Sequence, residues 1–237
     1  MKFKTLVKRT IIGCFLNIGL VSVCLLLPAK LLATEASWLW EDGMAFLGLY
    51  SVGVFLGCFY LCVYYPKSME ARLIVKSSSQ PVQDKMATAV LSAVGLTALS
   101  FVPTDVFYLH ALTEPTILVR LVGLGLAQIG LIFMFVTLVQ NEFAQPVVSI
   151  QEDRGHVLVD TGLYGRVRHP LYTSFLIWFC GAALWLGSMM MASFGTGILM
   201  LALWPRILIE ESTLKRDLDG YADYMRRVKH RIIPGLL

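Results

Sequence analysis

Charge is what this chain has least of. Only 15% of its 237 residues are Asp, Glu, Lys or Arg, against roughly a quarter in soluble proteins, which excludes an ordinary soluble domain. The net charge of +4 is small and spread over the connections between apolar runs, so no basic stripe offers itself to nucleic acid. The five cysteines, Cys14, Cys24, Cys58, Cys62 and Cys180, all lie inside apolar runs. Cys58 and Cys62 stand one helical turn apart, but no His or carboxylate nearby in sequence completes a zinc set. They read as small buried hydrophobes. There is no internal repeat, and Ser77-Ser78-Ser79 is too short to be more than a piece of loop. The glycine-rich dinucleotide fingerprint and the alternation of a transmembrane barrel are missing as well.

What is present is apolar length. Hydrophobic residues make up 57% of the chain, mean hydropathy is +0.68, and several runs reach the roughly 20 residues that span a hydrocarbon core. The fold class expected is all-α, a polytopic helical membrane protein with about six apolar helical segments. These are Thr10–Leu32, Gly43–Tyr65, Met86–Val106, Pro115–Val139, Leu171–Leu186 and Met189–Trp204. The first follows Lys2, Lys4, Lys8 and Arg9 and is longer than a signal-peptide core, so it reads as a retained helix. Trp38 and Trp40 read as interfacial anchors, and Arg120 as a snorkelling base. Lys67 to Lys85 reads as a polar loop. The last two segments are parted only by Gly187-Ser188 and are short for a full crossing, which predicts a tight hairpin within the membrane or else a tilted pair that crosses fully. Residues 1–139 are then N-terminal membrane helices and residues 140–237 the region with chemistry, in one integrated domain.

Lys and Arg concentrate at the N-terminus, in 66–85, in 140–170 and in the tail, whereas the 33–42 and 103–115 connections hold acids and no bases. The positive-inside rule then puts both termini and the polar 140–170 segment in the cytoplasm. An even number of crossings agrees. In a bacterium the membrane would be the inner one.

The least membrane-like stretch is Asp160-Thr161-Gly162-Leu163-Tyr164-Gly165-Arg166-Val167-Arg168-His169-Pro170-Leu171-Tyr172. Its glycines permit a tight turn. Pro170 favours an extended His169 and suits the first turn of a helix. Free N–H groups at that helix start, with Arg166, Arg168 and His169, favour an anionic group such as a carboxylate. The stretch is equally consistent with a basic juxtamembrane loop that only sets topology. Further on, Arg206 and Glu210 share a helix face at i, i+4, with Glu211 offset by about 100°. Read alone, that is a polar cavity wall or a solvated helix end.

The ordered set Gly162, Tyr164, Arg168, His169, Pro170, Tyr172, then a hydrophobic hairpin, Glu210-Glu211, Tyr221, Tyr224 and Arg231-Ile232-Ile233-Pro234 resembles the isoprenylcysteine carboxyl methyltransferase family. That family comprises integral membrane enzymes related to phospholipid methyltransferases. The resemblance is strong over about residues 140–237 and weaker through the Pro66–Leu73 segment and the N-terminal half. It implies methyl transfer from S-adenosylmethionine. It also implies a cytoplasmic cofactor site built from Gln151, His156, Val157, Leu158, Val159, Tyr164, Arg168, His169, Tyr172 and the Glu210-Glu211 pair. Val157 stands where the family has a polar residue, so only its backbone would take part. Arg206 falls on the family's substrate-side arginine and, with Glu210, carries the catalytic expectation. Tyr221 and Tyr224 are expected to pack the tail against the core.

The chemistry suits these positions. A carboxylate such as Glu210 complements the sulfonium and ammonium of S-adenosylmethionine, and Arg168 with the helix start complements its carboxylate. An acceptor carboxylate is ionised at neutral pH and needs no general base; Arg206 can orient it with a two-pronged hydrogen bond. The expected acceptor is lipophilic, an isoprenylcysteine-like carboxylate reached from among the membrane lipids. A phospholipid amine or a small thiol is the alternative within this chemistry. A sterol-type reductase using NADPH is the alternative outside it.

Overall fold

The computed structural model describes residues 1–32, 40–73, 82–145 and 154–235. In lipid no water is present to pair backbone N–H and C=O groups, and a helix pairs them internally. Among the described residues every regular element is helical. The long ones are α1 (Phe3–Leu32), α2 (Glu41–Tyr64), α4 (Val82–Thr104), α5 (Ile117–Gln140) and α7 (Thr196–Asp217). Asp105–Leu109 continues α4 and Met191–Gly195 opens α7, each as a π-helical turn. These 5 helices are long and apolar enough to cross a membrane by length and composition. Between them lie α3 (Pro66–Leu73), α6 (Pro170–Trp185) and α8 (Tyr221–Arg227).

Two expectations change. The segment after Tyr65 is not all loop, because Pro66 opens α3, which buries Ser68, Met69 and Ala71. The Ser68 hydroxyl donates to the Leu138 carbonyl at 2.6 Å and ties α3 to α5. The last apolar segment does not stop at Trp204; α7 runs on to Asp217 and carries Arg206, Glu210 and Glu211 as helix residues. The expected hairpin is therefore unequal, with 16 residues in α6. The main neighbour of α6 is α5 rather than α7.

Small residues explain that pairing. A Cβ at Gly130 would lie 2.5 Å from the Trp178 nitrogen, and one at Gly181 would lie 2.4 Å from the Ala127 nitrogen. A Cβ at Gly123 would meet the Gly181 carbonyl at 2.9 Å. Positions 123, 127 and 130 share one face of α5, so the two backbones touch as small-residue faces allow in membranes. Around this pair sits the core, with Phe46, Val102, Ala127, Phe179, Leu199, Leu203 and Ile207 all at most 1% exposed. Facing out are Leu16, Leu56, Phe59, Leu118 and Leu201, each at least 65% exposed. Such an apolar outer surface belongs in lipid.

Hydrogen bonds and ion pairs sort the helix ends into two groups. At one end Met1 pairs with Glu70, Arg206 with Asp84, Gln140 with Leu163, and Tyr172 with Glu210. At the other, Trp185 Nε1 donates to the Asp42 carbonyl at 3.0 Å and Ser188 Oγ to Asp105 at 2.6 Å. Arg120 there pairs with Asp42 and lies over the Trp185 ring, 5.6 Å from its centroid. Hence α1, α2, α4, α5, α6 and α7 each run from one end to the other, the short α6 included. Trp40, read as an anchor, is 8% exposed and packs edge-on to Phe107; Trp38 lies outside the described residues, as do Ser77-Ser78-Ser79.

Candidate functional site

The site begins where α5 ends. Gly162 has a φ of 61°, and a Cβ there would come within 2.5 Å of the Gln140 side-chain amide. Both the left-handed backbone and the close approach require glycine. Gln140 Oε1 accepts the Leu163 N–H at 2.9 Å, and one 3-10 turn spans Gly162–Gly165. The chain leaves that turn outside the helical region, with His169 at φ −123° and ψ 61°, short of the fully extended backbone expected before a proline, and Pro170 takes the first turn of α6 as the sequence predicts.

Backbone between helices needs partners for its N–H groups, and the tail after α8 supplies them. Arg168 and His169 donate from their backbones to the carbonyls of His230 and Arg231 at 2.9 and 2.8 Å. Thr173 Oγ1 donates to the Ile232 carbonyl at 2.7 Å. Residues 228–234, which end in the Arg231–Pro234 motif, thus form a strap along the entrance to α6.

Glu210 and Glu211 turn to different sides of α7. Glu211 is 4% exposed. Its Oε1 accepts from Arg168 Nε at 2.7 Å and lies 3.2 Å from His169 Nε2; its Oε2 accepts from Arg231 Nε at 3.0 Å. The guanidinium of Arg168 also donates to the carbonyls of Val228 and Lys229, at 2.7 and 2.9 Å. These two residues, predicted to meet a cofactor, are directed into the strap. Glu210 faces the other way. Its Oε2 accepts from the Tyr172 hydroxyl at 2.7 Å, and His169 Nδ1 is 3.9 Å off.

Arg206 Nε donates to the same Tyr172 hydroxyl at 3.3 Å, so Tyr172 stands between the i, i+4 partners read from the sequence. Arg206 Nη1 also pairs with Asp84 and donates to Thr88 Oγ1 at 2.6 Å. Asp84 is fully buried. The sequence reading left it among loop charges; α4 begins early enough to carry it inside.

These groups line one cavity of about 640 Å³, within the size range of small-molecule sites. Of the predicted residues, His156, Val157, Leu158, Val159, Tyr164, Arg168, His169, Tyr172, Arg206 and Glu210 are in its wall. Glu211 lies behind the wall, and Gln151 lies outside the described residues. Val157 is 60% exposed. The wall also includes Asn17, Arg72, Thr88, Asn141, Phe143, Tyr221 and Tyr224, which sequence reasoning did not assign to it. Asn17, Arg72 and Thr88 are far from the motif in sequence and carry no local signal, whereas Asn141 and Phe143 lie in the polar segment just upstream of it.

Burial sets the charge states. The imidazole of His156 stacks on Phe143 at 4.5 Å. Its pKa falls from 6.5 to about 4, first through burial and then through the nearby Arg154. Burial pushes the hydroxyls of Tyr164, Tyr221 and Tyr224 up, so they are donors at neutral pH. Tyr224 donates to the Tyr164 carbonyl at 2.8 Å and packs edge-on to Tyr221. The Tyr221 hydroxyl and the Nε and Nη2 of Arg72 are buried with no hydrogen-bond partner. Buried polar groups are nearly always paired, so these exceptions mark the wall as a place for a polar ligand. No group of three or more His, Cys, Asp or Glu side chains suited to a metal is found among the described residues.

Comparisons with known proteins point to one family. Residues 120–216 match the sequence model of the isoprenylcysteine carboxyl methyltransferase (ICMT) family. The protein-S-isoprenylcysteine O-methyltransferase of Schizosaccharomyces pombe is 34% identical over 87 residues, which is 35% of this chain and 35% of that protein. The chain thus matches about a third of the length of that curated relative. A solved structure of the eukaryotic intramembrane Ras methyltransferase ICMT superimposes with a TM-score of 0.48 at 18% identity, over 95% of this chain and 86% of that one. The resemblance carried by the Arg168-His169-Pro170 and Glu210-Glu211 motifs is borne out over the matched stretch.

Proposed function

We propose that this protein is an S-adenosylmethionine-dependent methyltransferase of the membrane that methylates an isoprenylcysteine-like carboxylate. The observation that carries the reading is the Arg206–Tyr172–Glu210 relay facing a cavity walled by the family's motif residues, within the stretch that matches the family. The wall fits this cofactor. Glu210 offers a carboxylate to cationic groups, the orphaned Tyr221 hydroxyl and Arg72 N–H groups are donors, and the stacked Phe143–His156 pair suits a flat aromatic base.

When bound, S-adenosylmethionine supplies a methyl whose bond to sulfur breaks, with the electron pair returning to sulfur, as an O–CH3 bond forms. The protein's part is to position the reactants and exclude water. Glu210, half-buried and hydrogen-bonded by Tyr172, would offer a carboxylate on the wall to the cofactor's cationic groups. Tyr172 donates to Glu210 and accepts from Arg206, so one hydroxyl sets the spacing between the anionic and cationic groups. Asp84 and Thr88 fix the Arg206 guanidinium, which orients the acceptor. No side chain need remove a proton from an ionised carboxylate. His156, neutral above about pH 5 because its pKa is about 4, adds no positive charge beside a cationic ligand. Phe175 and Leu91 in the cavity wall suit a lipophilic tail entering from the bilayer.

The cavity end of the bundle carries Met1, the tail residues His230 and Arg231, and most of the Lys and Arg among the described residues. The opposite end carries Asp42, Asp105 and Glu114 with Arg120. This distribution supports a cytoplasmic cavity by the positive-inside rule. Calorimetry on detergent-purified protein tests the function, with S-adenosylmethionine and S-adenosylhomocysteine as ligands and NADPH as control. Saturable binding of both adenosyl ligands, weakened by Glu210→Gln and His169→Ala, is expected. Binding of NADPH instead, by well-folded protein, would sink the reading in favour of a reductase.

A further inference from the structure

Three arginines line the cavity, Arg72, Arg168 and Arg206. Two are matched by buried carboxylates: Arg168 by Glu211 and Arg206 by Asp84. Arg72 stands near the end of α3, and its Nε and Nη2 are shut off from solvent without a hydrogen-bond partner. Burial lowers its pKa from 12.5 to about 10, against a rise from nearby Tyr164, so the group is charged at neutral pH. A buried guanidinium with unmade bonds is costly to keep. Moreover Nε and Nη2 lie on one edge of the guanidinium plane with parallel N–H bonds, the fork that fits a carboxylate.

We propose that Arg72 is the carboxylate-binding residue of this cavity, gripping a ligand carboxylate along its Nε–Nη2 edge. The assignment rests on the methyltransferase reading above, in which both ligands carry a carboxylate, one on the amino-acid end of the cofactor and one on the acceptor. It moves to Arg72 the role that the sequence suggested for Arg168, whose Nε and Nη1 are engaged by Glu211 and the strap. The neighbouring Tyr164 belongs to the cofactor motif, which favours the cofactor's carboxylate. A residue kept for a ligand differs from one kept for the fold: removing its unmatched charge leaves the ligand-free protein at least as stable.

The test compares wild type, Arg72→Gln and Arg72→Lys. Calorimetry is run with S-adenosylmethionine and with decarboxylated S-adenosylmethionine, which lacks only the carboxylate. Turnover is followed with N-acetyl-S-farnesylcysteine as acceptor, and thermal unfolding is measured without ligand. Arg72→Gln is expected to weaken S-adenosylmethionine on the order of 10–100-fold, as loss of a charged hydrogen-bonded contact does, and to leave the decarboxylated ligand within about 2-fold. Arg72→Lys falls between, since it keeps the charge and loses the fork. If cofactor binding is untouched and the KM for the acceptor rises by a similar factor with kcat kept, the acceptor is the source of the carboxylate. Equal weakening of both cofactor forms, a lower melting temperature of the ligand-free variant, or no effect on either ligand overturns the assignment. Wild type that binds neither cofactor form refutes the methyltransferase reading itself, and the role of Arg72 falls with it.

Discussion

Two adjacent glutamates on α7 should fail in different ways. Glu211→Gln keeps the shape of the side chain and removes the charge that faces Arg168, His169 and Arg231. The Arg168 and Glu211 side chains are 4% and 5% exposed, so the substitution leaves an uncompensated buried guanidinium, at a cost of about 3–5 kcal/mol. The Arg231 arm is 30% exposed and adds little, about 0–1 kcal/mol. Each kcal/mol moves Tm by roughly 2–4 °C at this chain length, so a fall of roughly 6–20 °C is expected. Glu210→Gln touches a side chain that is 27% exposed, with one hydrogen bond from Tyr172. It should cost about 0.5–1.5 kcal/mol, or roughly 1–6 °C. Binding should show the reverse order, with S-adenosylhomocysteine affinity falling more for Glu210→Gln than for folded Glu211→Gln well below its Tm. Thermal unfolding in one detergent and calorimetry at 10 °C below the lower Tm measure both. Equal losses of Tm, or a Glu211→Gln variant as stable as wild type, would refute the division of roles.

Gly130→Val puts a branched side chain against the Trp178 backbone, which cannot yield as a side chain would. A loss of about 3 kcal/mol or more should appear as a lower Tm and as aggregation on gel filtration. Asp84→Asn and Arg206→Gln should each destabilise by about 3–5 kcal/mol. The double variant should be less unstable than the sum, and additivity would show that the buried pair is not coupled. His156 binds a proton near pH 6.5 when unfolded and only near pH 4 when folded. Its contribution to stability is therefore full above pH 6.5 and is lost as the pH falls toward 4. A His156→Gln variant should lose less Tm than wild type between pH 7 and 5; parallel curves would show that His156 is not buried neutral.

The helices that cross between the two ends were legible because apolar length is a local property, and so was the turn at Gly162 and Pro170, where backbone freedom and restriction act on neighbouring residues. Less visible was what meets across the chain. Asp84 reads as one acid among loop bases, yet it sits against Arg206, 122 residues away, and only the early start of α4 brings it there. α3 reads as loop for a similar reason: its eight residues mix Lys67, Glu70 and Arg72 with Met69 and Leu73, and the partners that bury Met69 and Ser68 lie across the bundle. The offset of about 100° between Glu210 and Glu211 is implicit in any helix. Which of them turns to the cavity depends on the strap, and no periodicity encodes a strap.

That strap also has a schedule. The carbonyls that receive the Arg168 guanidinium belong to residues 60 and 61 positions later in the chain. At roughly 5–20 residues per second, they emerge about 3–12 s after it. By then every apolar segment through α7 has been made. The ion-paired wall around Arg168 is thus completed only after every crossing helix has been made. A chain halted after α7 would hold all six crossing helices but leave Arg168, His169, Thr173 and Glu211 without the tail residues that pair with them.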